Sequence, residues 1–313
     1  MIGEACGKAI LFGEHAVVHR VPAIAVPLVA VRLRVALEPA PQAPRPFTLL
    51  AEQGPPLDPA AESLVRRMVA RALELAGRSE EPLRVRLRST IPLGAGLGSS
   101  AALAVALVRA IAPGADAFVL ARRANVLEEI AHGTPSGIDA TCIAYERTVL
   151  FERGQRPRFL RPRVPLRLAV AVLPRRGTTA SLVAGVRALQ QAGDPRFTEF
   201  LATSRQLVES ARQWFVEAGH AASGEPPPAG ALGRLMDQAH AALAALGLSS
   251  PEQDGCCAVM RAAGALGAKL SGAGGGGATL ALLPPDAGPA LEERVLGAAR
   301  GLGALDAFVT TIA

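Results

Sequence analysis

The chain is poor in aromatic residues, in cysteine and in lysine. Its 313 residues include one Trp, one Tyr and nine Phe, 4% of the total. So few rings leave little material for a base-stacking platform, which argues against nucleic acid as a partner despite a net charge of +6. The arginines are scattered, and many alternate with apolar residues, so no basic face is marked out either. A mildly positive field suits a protein that gathers small anions. The four cysteines, Cys6, Cys142, Cys256 and Cys257, form no CxxC pair. That excludes the usual zinc spacing and a disulfide frame, and it fits reduced thiols in the cytoplasm. No run of about 18 uncharged apolar residues occurs, so no membrane span is expected. The N-terminus lacks the basic-then-apolar pattern of a signal peptide.

Lysine is the most telling scarcity. Only two of the 33 basic residues are lysine, Lys8 and Lys269. A compact ammonium fits as a point charge where a planar guanidinium cannot. Both lysines border glycine-rich segments. Lys8, beside Gly7 at an apolar segment, is expected to be functional, and Lys269 is left open.

What is plentiful is Leu, Val and Ala: half the chain is hydrophobic, enough for one large or two medium domains. Strands and helices are interspersed without strict alternation, so the expectation is a two-domain α+β fold. The expected division is 1–160 and 161–313, with the break near Gly154, Pro157, Pro162 and Pro165. Residues 1–38 read as strands, and the proline-rich 39–60 reads mostly as loop. Helices are expected over 62–76, 99–112, 115–131, 195–218, 229–246, 252–265 and 287–300, with strands at 148–151, 166–173, 278–283 and 306–312.

One stretch carries the chemistry most openly: Pro92-Leu93-Gly94-Ala95-Gly96-Leu97-Gly98-Ser99-Ser100-Ala101-Ala102. Before it, Leu83, Val85 and Leu87 alternate with arginines, which is strand spacing. After it comes an Ala/Leu/Val run that favours helix. Strand, glycine loop and helix start together aim N–H groups and a positive dipole end at one spot. An anion belongs there, expected to be the phosphates of a nucleotide. The loop lacks the Gly-Lys-Ser/Thr ending of the P-loop, and its third glycine falls too early for a dinucleotide fingerprint. A flexible turn is the plain alternative.

Three further segments stand out: Gly7-Lys8-Ala9-Ile10-Leu11-Phe12-Gly13-Glu14-His15-Ala16-Val17-Val18-His19, then Glu128 to Asp139 containing His132-Gly133-Thr134-Pro135-Ser136-Gly137-Ile138-Asp139, then Lys269-Leu270-Ser271-Gly272 to Gly277. In this order, over most of the chain, the four segments resemble the GHMP kinase superfamily, and within it the mevalonate kinase family. The resemblance implies a two-domain fold with the active site in the cleft between domains, and transfer of phosphate from ATP to the primary hydroxyl of mevalonate.

It also implies roles. Asp139 would be the catalytic base, and Lys8 would place an ammonium beside it and the attacking oxygen. Glu128, eleven residues before Asp139, and Ser100 would ligate Mg²⁺, which takes few protein oxygens and leaves room for phosphates and water. Gly94, Gly96, Leu97, Gly98, Ser99, Ser100 and Ala101 would hold the nucleotide phosphates. Glu14, His15 and Thr178 would face the substrate, with Arg175 or Arg176 and Thr178 or Thr179 in uncertain register. His132 would be a loop-packing histidine. The resemblance admits a homodimer without requiring one, and implies no nucleic-acid or membrane partner. Rival readings are a related kinase acting on phosphomevalonate, a sugar or homoserine, and a non-catalytic nucleotide-binding regulator. Two departures stand out: Arg20 sits where the family usually has Gly, and Thr90 where it often has an acid.

Overall fold

The computed structural model describes residues 1–42, 47–52, 58–177, 179–217, 224–225 and 228–313. In chain order its strands are β1 (Ile2–Phe12), β2 (Ala23–Pro39), β3 (Phe47–Ala51), β4 (Leu83–Ser89), β5 (Thr148–Phe151), β6 (Arg158–Pro162), β7 (Leu166–Leu173), β8 (Phe215–Glu217), β9 (Gly267–Leu270), β10 (Gly277–Leu282) and β11 (Asp306–Ile312). The α-helices are α1 (Pro59–Leu75), α2 (Ser99–Ile111), α3 (Ala117–His132), α4 (Ile138–Tyr145), α5 (Thr179–Gln191), α6 (Pro195–Arg212), α7 (Ala229–Ala245), α8 (Pro251–Ala262) and α9 (Pro289–Gly301). A 3-10 turn covers Ala16–His19. The fold is α+β, as expected, and divides into two compact units that interleave along the sequence. One comprises Met1–Lys8, Val29–Ile91 and Gly98–Glu146, and the other Ala9–Leu28, Pro92–Leu97 and Arg147–Ala313. Strands β1 and β2 each begin in one unit and end in the other.

In the first unit, alternation decides the sheet. β2 and β4 pair antiparallel with Leu33 opposite Ser89 and Leu37 opposite Val85. Leu33, Val35 and Leu37 then share a buried face with Leu83, Val85 and Leu87, while Arg34, Arg84 and Arg88 are exposed on the other. β3 runs parallel to β4, so the chain between them must cross over, and α1 makes that crossover. Helix α2 is apolar nearly all round, with nine of its residues buried, and packs against α1, α3 and α4. Such a helix is stable only inside other elements.

The second unit holds an antiparallel sheet in the order β11-β7-β10-β9. Leu168 to Val172 pair with β10 on one side and β11 on the other. The core beside it joins Ala169, Ala171 and Leu173 to Cys256, Cys257 and Met260 of α8 and to Val295, Leu296 and Ala299 of α9. A second ladder pairs Ala23–Ala25 of β2 with β5, β5 with β6, and β6 with β8.

Three expectations change here. The stretch 39–60 contains β3, because Phe47 and Leu49 supply apolar side chains that β4 can pair with. The run 155–165, where the break between domains was expected, carries β6, while β7 lies at 166–173 as expected. The helix begun at Pro195 stops at Arg212, because Phe215 and Val216 pair with Pro162 and Arg161 as β8.

All four cysteines are buried, and none is in a disulfide. Burial raises the Cys6 thiol to about 12 and the Cys256 thiol to about 11, and pushes Cys142 and Cys257 well above the usual range. Among the described residues no helix is long and apolar enough to cross a membrane.

Candidate active site

In the first unit β1 delivers Lys8 to the start of α2. The side chain is buried, and Nζ lies 3.1 Å from Asp139 Oδ2. Asp139 stands in the first turn of α4, where the helix dipole favours a carboxylate. Gly137 caps that helix in the left-handed region, φ 89°. At the mouth of α2, Gly98 is the cap, φ 79°. A Cβ there would meet Lys8 Cγ at 2.8 Å and Cε at 3.1 Å. Glycine is thus needed twice over, for the backbone angle and for room for the lysine stem. The first intrahelical bond of α2 runs from Ala102 N–H to the Gly98 carbonyl. The N–H groups of Ser99, Ser100 and Ala101 come before it, so the helix itself supplies them no acceptor. The Ala101 side chain is buried, so only its backbone is on offer.

Beside this corner lie Ser100, Glu128 and His132. Glu128 and His132 are four residues apart on α3 and so share a face. Ser100 Oγ lies 3.0 Å from His132 Nε2, and His132 Nε2 lies 3.8 Å from Glu128 Oε2. The Glu128 side chain is 3% exposed, and its Oε1 is buried with no hydrogen-bond partner. Burial, and then the nearby Asp139 charge, raise this carboxyl to about 7. A buried, unsatisfied carboxylate oxygen beside a serine hydroxyl is a donor set that a hard divalent cation would complete. Among the described residues no group of three or more His, Cys, Asp or Glu could hold a metal. The ion would therefore rely on phosphate and water for its remaining ligands, as Mg²⁺ does.

The second unit holds the other predicted residues. Gly94 and Gly96 adopt positive φ, 69° and 81°, while Leu97 is fully buried and can offer only its backbone. The Ala95 carbonyl accepts from Ala278 N–H at 2.9 Å, which ties this loop to β10. The second glycine segment is braced from two sides. Ser271 Oγ donates to the Ile10 carbonyl and accepts from the Ile10 N–H, at 3.0 and 3.1 Å, as a strand neighbour would. The buried Gln253 amide likewise brackets Gly276, accepting from its N–H at 2.9 Å and donating to its carbonyl at 3.0 Å.

Glu14 is buried and forms an ion pair with Lys269, whose ammonium also donates to the Leu270 carbonyl at 2.6 Å. The carboxylate is thus engaged within the protein. His15 has φ 57° and ψ −38°, strained for a residue with a Cβ. Its Nε2 lies 3.0 Å from the Ala273 carbonyl. A carbonyl only accepts, so Nε2 carries the proton and Nδ1 is left as an acceptor. Burial lowers the proton affinity of this ring, which favours that neutral form. Arg175 is half-buried with its Nε unpaired, and Nη1 donates to Thr179 Oγ1 at 3.2 Å. Arg176 is exposed and pairs with Glu252. Thr178 lies outside the described residues.

Known proteins are similar to this chain in sequence and fold. The GHMP kinases N terminal domain matches residues 63–147, and the GHMP kinases C terminal domain matches residues 228–308. The mevalonate kinase of Pyrococcus furiosus is 33% identical over 307 residues, covering 91% of this chain and 89% of that protein. The chain belongs to the mevalonate kinase family of GHMP kinases. The family member from Methanothermobacter thermautotrophicus is also 33% identical, over 90% of this chain and 89% of its own. Among solved structures, L. major mevalonate kinase in complex with R-mevalonate superposes with a TM-score of 0.80 at 26% identity, covering 100% of this chain and 95% of that one.

Sequence reasoning brought Lys8 to Asp139 and Ser100 to Glu128, which the structure places together within one unit. It missed three residues. His132, expected to pack a loop, bonds to Ser100; its four-residue spacing from Glu128 was the available signal. Gln253 carried no signal, because glutamine on a helix is ordinary. Lys269 was marked by rarity and by its place at the head of the second glycine segment, but its partner lies 255 residues away.

Proposed function

We propose that this chain transfers the γ-phosphoryl group of ATP to the primary hydroxyl of mevalonate, giving 5-phosphomevalonate and ADP. The observation that carries the residue roles is the 3.1 Å approach of Lys8 to Asp139 beside the start of α2. Asp139 accepts the hydroxyl proton as the oxygen attacks the γ-phosphorus. The Lys8 ammonium stabilises charge building on that oxygen and on the transferring group. The first-turn N–H groups of α2 hold phosphate oxygens. Ser100 and Glu128 hold Mg²⁺, which when bound neutralises phosphate charge. His15, with Nδ1 free to accept, suits a substrate hydroxyl better than a carboxylate. The half-buried Arg175, rather than Arg176, suits the carboxylate. Residues 1–160 serve nucleotide and phosphate binding, and 161–313 form the C-terminal GHMP-type part.

Coupled ADP release with mevalonate, phosphomevalonate, galactose and homoserine tests this. Turnover is expected with mevalonate alone, and near-complete loss in Asp139→Asn with ATP binding retained. Turnover unaffected by that substitution removes Asp139 from the mechanism, and preference for another acceptor overturns the substrate.

A further inference from the structure

His132 touches the presumed cation site from outside. Its Nε2 is 3.0 Å from Ser100 Oγ and 3.8 Å from Glu128 Oε2. A serine hydroxyl that ligates a cation keeps its proton and turns a lone pair to the metal. Its O–H then needs an acceptor elsewhere. In this structure Ser100 also hydrogen-bonds the Glu128 carboxylate, an acceptor that weakens once the carboxylate gives electron density to a cation. A neutral imidazole has one acceptor nitrogen, and the geometry puts Nε2 in place for it. Groups in this outer position fix the orientation of the ligand they touch.

We infer that His132 is a positioning residue for the metal: its Nε2 accepts the Ser100 proton and so directs the serine oxygen at the cation shared with Glu128. This rests on the assignment of Ser100 and Glu128 as ligands, and it adds a requirement they do not carry. Nδ1 must hold the ring proton. A glutamine can replace the imidazole, because its amide oxygen accepts; a phenylalanine of similar bulk cannot. The competing view is that His132 merely ends α3 with a base near the helix C-terminus, which would influence folding but not the cation.

The test is Mn²⁺ binding, followed by electron paramagnetic resonance, to the protein with a non-hydrolysable ATP analogue. Affinity for the analogue without metal is measured alongside. Ser100→Ala and Glu128→Gln are expected to weaken Mn²⁺ binding by about tenfold or more. His132→Phe is expected to weaken it by about tenfold, within the range for outer-position groups, with metal-free analogue affinity unchanged. His132→Gln should stay within about threefold of wild type, and His132→Phe should add nothing in a Ser100→Ala background. If Ser100→Ala weakens Mn²⁺ binding and His132→Phe does not, or if His132→Phe acts equally without Ser100, the positioning role is overturned. If neither Ser100→Ala nor Glu128→Gln affects Mn²⁺, the ligand assignment falls first and takes this inference with it.

Discussion

Lys269 and Glu14 form an ion pair whose two side chains are 0% and 2% exposed. Deleting one partner strands the other charge away from water, which costs about 3–5 kcal/mol. Lys269→Met should therefore lose about that much stability in urea unfolding. Lys269→Met combined with Glu14→Leu should lose clearly less than the sum of the two single changes, because no bare charge remains. Additive losses would mean the two groups are not coupled.

Gly98 leaves room for the Lys8 stem. Gly98→Ala puts a methyl 2.8 Å from Lys8 Cγ on a backbone at φ 79°. The strain is about 1–2 kcal/mol, and the ammonium must move from Asp139. The expected outcome is a fall in kcat of tenfold or more with a modest loss of Tm, read by steady-state kinetics and calorimetry. An unchanged kcat would separate Lys8 placement from turnover.

Arg20 ends the 3-10 turn in the left-handed region, φ 61° and ψ 28°. The contact it makes with Arg205 uses its backbone carbonyl, so the side chain is not needed for it. Arg20→Gly should raise stability by about 0.5–1 kcal/mol, relief of backbone strain outweighing the added freedom of the unfolded chain. Urea midpoints compare the two proteins, and a lower midpoint for the glycine variant would contradict this.

Neighbouring arginines should behave differently. Arg175→Ala removes a half-buried guanidinium with no carboxylate partner among the described contacts, and kcat/KM for mevalonate should fall tenfold or more. Arg176→Ala breaks only an exposed pair with Glu252, a contact of the kind that contributes about 0–1 kcal/mol, so kcat/KM should stay within about twofold. Equal effects would undo the distinction.

Acid should weaken the fold through His240. Its Nδ1 accepts from Leu270 N–H at 3.3 Å, and its Nε2 lies 3.1 Å from Asp254 Oδ1. Burial lowers the proton affinity of the ring, with Asp254 opposing and Lys269 and Arg261 adding to the effect. The unfolded chain then takes up the proton first as pH falls. The stability is present above the ordinary imidazole value of about 6.5 and is lost as pH drops toward the lower folded value, by at most about 1.4 kcal/mol per unit. Urea unfolding at pH 7.5, 6.5 and 5.5 should show that decline, and His240→Gln should flatten it. A slope unaffected by the substitution would assign the effect to other groups.

The candidate site was legible through the resemblance of four ordered segments; residue types alone would have left Asp139 as a helix cap and Glu128 as a solvated acid. A lysine among arginines and a serine pair at a helix start do mark the sequence itself. Pairings over long separations leave no such mark. Nothing near Glu14 announces Lys269, and nothing near Gly276 announces Gln253. The strands β3, β6 and β8 were hidden for a different reason: each has five residues or fewer, too short for alternation to show. Helix α5 was missed although Leu182, Val186 and Leu189 fall at helical spacing, since most of its surface is exposed and its apolar stripe is narrow.

Four sulfurs buried as neutral thiols give the folded protein an unusual experimental freedom. Maleimides and iodoacetamide attack thiolates, which none of these sites readily forms near neutral pH. One cysteine placed on an exposed helix position such as Arg187 would then be the sole address for a fluorophore or spin label, with the native sequence otherwise untouched.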